Sequence, residues 1–141
     1  MSGAFGRDLS EQIAGLFTSG ADVTVPTSVY VKLHGGDPSP DGTANELDSA
    51  TTAPGYAPVE VTVPSGFEAG ADASELTNAV RIEDFGPATG DWPEVTHASV
   101  WTTTDQTGDC LFEDTLTASK TITDGDPVVF VVNELTIDVL E

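Results

Sequence analysis

From residue 27 onward the apolar residues of this chain return at every second position, in runs of five to ten residues separated by Gly, Pro, Asp, Asn and Thr. A period of two belongs to strands, whose side chains alternate between the two faces of a sheet. The runs are 27–34 (TSVYVKLH), 56–63, 78–85, 94–103, 109–116, 119–123, 127–133 and 135–140. In the first, Val29, Val31 and Leu33 face one way and Tyr30 and Lys32 the other. Pro58 and Pro64 confine run 56–63 to an edge or an end of its sheet. The separators TDQTG and Asp124-Gly125-Asp126 have the composition of hairpin turns. Short, closely spaced strands with no helical pattern between them predict a mainly β chain, an antiparallel β-sandwich or jelly-roll-like domain.

Only the first twenty residues carry a different period. Phe5, Leu9, Ile13, Leu16 and Phe17 fall on one stripe at helical spacing, and Gly20 supplies a stop. An amphipathic helix ahead of a β domain can pack on its own sheet or dock on a neighbouring subunit, and the same stripe serves either. The expected organisation is a docking helix over 1–20 and a β-sandwich domain over 21–141. Two polar loops, 35–55 and 65–77, interrupt the strands and offer almost nothing to bury; they are expected to face solvent.

A chain of 141 residues is large enough for one core. Its 24 acidic and 4 basic residues give a formal net charge of −20, spread along the whole length, with Lys32 and Lys120 the only lysines. Such a chain repels itself in dilute buffer; at ~1 M salt the Debye length falls to about 3 Å and the repulsion is screened. The composition therefore suits molar salt and a halophilic source, the rival reading being an acidic protein with a basic partner. Nucleic acid is excluded as an expected ligand, because almost nothing here neutralises phosphate. Cys110 is the single cysteine, so no intrachain disulfide is expected; in the run Cys110-Leu111-Phe112 it reads as a small buried apolar side chain. The start, Met1-Ser2-Gly3-Ala4-Phe5, lacks the charged and apolar regions of a signal peptide, and no run is long enough to insert in a membrane, so a soluble chain made in the cytoplasm is expected.

Chemistry-bearing residues are sparse. Within EVTHASVW, alternation puts Val95, His97, Ser99 and Trp101 on one face, which makes His97 a half-buried, hydrogen-bonded histidine. His34 and His97 lie far apart in sequence, no nucleophile-elbow motif is present, and carboxylates in so acidic a chain carry no information, so no catalytic residue is assigned. Asp37, Asp41, Glu46 and Asp48 in the first polar loop are the candidates for a structural calcium or other cation. Their spacing does not match the calcium loop, such clusters arise here by composition, and solvated charge without a cofactor is the expectation.

The stretch 87–140 resembles the C-terminal half of a family of small tail-fibre-like structural proteins of tailed viruses of bacteria and archaea. The residues carrying the resemblance are Ala88, Thr89, Gly90, Asp91 and Trp92, then Val95, Thr96 and His97, then Leu111, Phe112, Leu116, Thr117, Lys120, Thr121, Gly125 and Asp126. Trp101 closes the apolar strand after His97. In the N-terminal half the leading helix, SVYVKLH, Asp37-Pro38, GTANE at 42–46 and GYA at 55–57 follow in the family's order. Pro93, where the family has glycine, and Pro58, where it has arginine, depart from the pattern and imply a stiffer backbone and one lost charge.

The resemblance implies a virion structural protein rather than an enzyme: a subunit of a homo-oligomeric tail fibre, baseplate or capsid projection such as a turret or decoration. Its partners would be copies of itself around a threefold, fivefold or sixfold axis, other virion proteins, and a glycan or protein on the host surface. Combined with the charge, it implies a virus of a halophilic archaeon. Gly90 and Asp91 would form a turn, with Trp92 capping the core and finding a partner for its N–H. The alternative is a carbohydrate-binding, host-recognition module stacking sugars on Tyr30, Tyr56, Trp92 or Trp101. A hydrolase of the host envelope has no residues to support it.

Overall fold

The computed structural model describes residues 5–72 and 74–139; residues 1–4 of the docking segment, Ala73 in the second polar loop and the last two residues, 140 and 141, lie outside the described residues. A helix, α1 (Arg7–Thr18), precedes seven strands: β1 (Ser28–His34), β2 (Val59–Thr62), β3 (Phe67–Ala69), β4 (Glu75–Asn78), β5 (Val95–Trp101), β6 (Cys110–Lys120) and β7 (Thr136–Asp138). They form two antiparallel sheets, one of four strands in the order β2-β1-β5-β6 and one of three in the order β3-β4-β7. The fold is mainly β, a sandwich with one N-terminal helix.

Strand β1 shows why the alternation works. Val29, Val31 and Leu33 point between the sheets, where they meet Val61 of β2, Ala98 and Val100 of β5, Phe85, Phe130 and Ile137. The Phe85 and Phe130 rings pack edge to face with centroids 5.7 Å apart, a favoured aromatic geometry. Strand β2, flanked by Pro58 and Pro64, is an edge strand, as a segment without those N–H groups must be.

Several expected elements differ. Run 78–85 is not a strand. The strand lies just before it, over Glu75–Asn78, and pairs with Phe67–Ala69, so the polar loop 65–77 contains a hairpin. The chain leaves the sheet at Asn78 because the buried side-chain amide of that residue donates to Val80 O (2.7 Å) and Val131 O (2.9 Å), while its oxygen accepts from Leu135 N (2.9 Å). A left-handed Asp84 (φ 77°) ends the extended run. Run 127–133 is also irregular: Phe130 alone pairs, with Ile82, and a left-handed Asn133 turns the chain before β7. Runs 109–116 and 119–123 are not separate strands, since eleven residues from Cys110 to Lys120 continue as one.

Alternation along β5 is broken as well. The ladder between β5 and β6 shifts register between Val95 and His97 and again between Val100 and Trp101. Val95 consequently joins Ala98 and Val100 in the core instead of sharing a face with His97 and Ser99.

Candidate functional site

Three parts of the molecule carry most of the polar or exposed groups that could have a role. The first is the outer face of the four-stranded sheet. Here Lys32 and His34 of β1, Ser99 and Trp101 of β5, and Glu113 of β6 are all buried. Loop 35–55 covers them, contrary to the expectation of a solvent-facing loop: Leu47 and Ala53 are core residues, and Pro38 and Gly42 are buried. The loop is zipped to the end of β1 by Leu47 N to Leu33 O (3.0 Å) and Gly35 N to Asn45 O (3.0 Å).

The buried polar groups that β1 and β5 place on this face have defined tasks. His34 Nδ1 donates to Ala44 O (2.8 Å), and its Nε2 accepts from the Ser99 hydroxyl (2.7 Å). Ser99 Oγ in turn accepts from Trp101 Nε1 (2.9 Å). Burial pushes the His34 pKa down to about 4, so the ring is neutral and the chain of hydrogen bonds has one consistent tautomer. A Ser–His pair at this distance could serve nucleophilic catalysis if a substrate reached it, but both residues are 0% exposed. The pair instead ties the loop to the sheet.

Lys32 acts beside it. Its ammonium donates to Asp105 O (2.6 Å), lies 3.9 Å from Glu46 Oε1 and sits 3.9 Å from the centroid of the Trp101 ring. Burial lowers the Lys32 pKa and raises that of Glu46. Cys110, under the same cover, is pushed up to about 12 by burial and is a packed thiol, not a nucleophile.

The candidate cation ligands are not brought together. Asp37 accepts from Ser39 N and Asp48 from Ala50 N, while Asp41 accepts from Ser39 Oγ and from the N–H and hydroxyl of Thr43, which hold its pKa at about 2. Glu46 turns inward to Lys32. These carboxylates cap turns of their own loop, and among the described residues no group of three or more His, Cys, Asp or Glu is placed to hold a metal ion.

The second part is the corner built by most of the motif residues. Segments 86–92 and 122–126 are joined by Ala88 N to Asp126 O (3.0 Å), Gly125 N to Ala88 O (2.8 Å), Trp92 N to Ile122 O (3.0 Å) and Asp124 N to Asp91 Oδ1 (3.0 Å). Gly125 adopts φ 88°, which suits glycine. The Asp124-Gly125-Asp126 turn therefore docks on Ala88 rather than linking two strands. Trp92 packs edge to face on Tyr56 (5.7 Å), and its Nε1 donates to Pro54 O (2.8 Å). Gly90 lies against Pro54. His97 Nδ1 pairs with Thr96 Oγ1 (2.8 Å) and its Nε2 with Thr115 Oγ1 (3.2 Å). Lys120 bridges to Glu134 (2.6 Å) over the Phe130 ring. Trp101 stands apart, under loop 35–55. Since Tyr56, Trp92 and Trp101 are 6%, 7% and 2% exposed, three of the four aromatics considered for sugar stacking present no face to solvent.

The third part is the helix and the groove beside it. The residues expected on one helical stripe are divided. Phe5 lies before α1, bridged to Phe112 of β6 with ring centroids 5.9 Å apart, and Leu9 packs against the core, whereas Leu16 is 41% and Phe17 87% exposed. Polar ties hold only the N-terminal half: Gly6 N to Leu111 O, Arg7 N to Pro40 O, Cys110 N to Asp8 Oδ2 and Gln12 Nε2 to Asp109 Oδ2. Between α1, segment 23–26, the turn that leads from β2 to β3, and the β3–β4 hairpin lies an apolar groove of about 380 Å³, lined by Leu9, Val25, Val63, Phe67, Leu76 and Phe112 among others.

Sequence reasoning missed the buried Lys32–Trp101 face and this groove. A lysine inside an apolar run, in a chain with two lysines, was the available signal for the first; the groove is assembled from segments distant in sequence and left none. A family model described as Podophage GP4 fiber I protein gp80 matches residues 4–138. A search of curated proteins finds no match.

Proposed function

The chain belongs to the podophage GP4 fiber I protein gp80 family, a family of phage fibre proteins, and from that premise we propose that it builds a homo-oligomeric fibre or projection on the outside of a tailed virion. A structural role in the virion follows from the family and points away from catalysis. The single observation that carries the reading is the extent of the match, which takes in helix, both sheets and the motif corner alike.

The architecture supports it. A small sandwich whose loops are tied down by buried hydrogen bonds is a rigid block, and such blocks form extended assemblies through repeated identical contacts. The exposed end of α1 supplies a surface for that contact, either to further copies or to another virion protein. The net charge of −20 supports a virus of a halophilic host, because molar salt screens repulsion between copies. Quantitative mass spectrometry of purified particles tests the proposal. The expected result is a fixed number of copies per particle, in a whole-number ratio to the symmetry of the fibre; absence from purified particles overturns it.

A further inference from the structure

Between Gln12 and Val31 the chain carries one charged side chain, Asp22, in a run of twenty residues where its average composition would place about four. This run is the outer half of α1, the irregular return over 19–27 and the start of β1. It contains three of the large hydrophobic side chains most open to solvent: Phe17 at 87%, Val25 at 74% and Leu16 at 41%. The later part of the run, Val23 to Pro26 with Val29, lines the apolar groove, whose only charged lining residue is Glu68; Leu16 and Phe17 at the end of α1 stand outside it.

We propose that these two features fit each other between copies, Phe17 and Leu16 of one copy entering the apolar groove of the next. The proposal rests on the homo-oligomeric reading above and names the contact that would produce it. Three observations lead to a second copy as the occupant. The first is electrostatic: two chains of charge −20 meet at least cost where their surfaces carry fewest carboxylates, and the arm and the groove carry one each, Asp22 and Glu68. The second is size. A cavity of about 150 Å³ accepts a benzene ring, so a groove of about 380 Å³ has room for the phenyl ring of Phe17 with the isobutyl group of Leu16. The third is placement. Leu16 and Phe17 are not among the residues lining their own groove, whereas Leu9 of the same helix is. Knob and groove are therefore different patches of one molecule, which can meet head to tail, closing into a ring when the rotation allows, or reciprocally about a twofold axis.

The test uses the full chain in about 2 M NaCl, where repulsion beyond roughly 3 Å is screened. Multi-angle light scattering after size exclusion gives the mass of the wild type, of Phe17→Ser and of Val25→Asp. Both substitutions are at positions exposed in the single chain, so the circular dichroism spectrum should match the wild type. The expected result is one defined oligomer for the wild type and monomer for each variant. A mixture of Phe17→Cys and Val25→Cys copies should then oxidise to the mixed 17–25 dimer. Three outcomes overturn the proposal in distinguishable ways. A wild type that is monomeric at every concentration also removes the homo-oligomeric reading. An oligomer that survives both substitutions leaves self-assembly standing but places it elsewhere. Exclusive 17–17 cross-linking means that arms pack on arms and the groove takes another occupant, such as an apolar segment of a second virion protein.

Discussion

The ammonium of Lys32 lies 3.9 Å from the centre of the Trp101 ring, and both residues are buried beneath loop 35–55. Few positions could be more expensive for a cation, and it is held there by Asp105 O, Glu46 and the ring. Lys32→Ala should cost about 3–5 kcal/mol, the usual effect of leaving one member of a buried pair without its partner. Replacing Lys32 and Glu46 together by apolar residues of similar volume should cost much less. Denaturant unfolding of the single and double variants decides it; equal losses would mean that the pair does not interact.

His34 makes stability depend on pH in a calculable direction. Its pKa falls from 6.5 when unfolded to about 4 in the fold. The unfolded chain therefore binds a proton over that window while the folded chain does not, and stability is lost as pH falls from 6.5 toward 4. At 1.36 kcal/mol per pKa unit the full loss is about 3 kcal/mol. The interval from 6.5 to 5 is the cleanest, because most carboxylates are still ionised there. The slope of unfolding free energy against pH should flatten in His34→Gln; an unchanged slope would assign it to other groups.

Gly42 adopts φ 74° and faces Cys110 and Trp101 so closely that an added Cβ would collide with both. Gly42→Ala combines left-handed strain with overpacking and should destabilise by about 3 kcal/mol. Gly20, also left-handed but with open space around it, is the control: Gly20→Ala should cost about 1 kcal/mol. Thermal melts of the two variants provide the comparison, and similar shifts would show that loop 35–55 does not press on the sheet.

With a net charge of −20, the melting temperature should climb steeply between about 0.1 M and about 1 M NaCl, as the Debye length shortens from about 10 Å to about 3 Å. A melting temperature independent of salt over that range would remove the argument for a halophilic setting.

How much of this was legible in the sequence varies by element. Strands β1, β5 and the first half of β6 were plain as strands, because each is an apolar run rich in Val, Thr or aromatics between turn residues, although the faces read along β5 are displaced by its two register shifts. Strands β3 and β4 were hidden, being three and four residues long in a stretch rich in Gly, Ala and acid. The apolar run 127–133 failed as a strand because Asn78, 53 residues earlier than Val131, takes the carbonyl of that residue. The helix was visible, but its stripe could not reveal that Leu9 turns inward and Phe17 outward, which depends on where β6 ends the helix contact. Lys32 was placed on the face opposite Val29, Val31 and Leu33, and only the folded loop shows that this second face is covered as well.

Gold-labelled antibody against the protein, applied to intact virions and imaged by electron microscopy in high salt, tests the central claim directly. A virion fibre or projection protein predicts label at a fixed position on every particle, on a tail fibre or on regularly spaced projections. Particles without label, from a preparation in which the same antibody recognises the soluble protein, would contradict an externally exposed structural role.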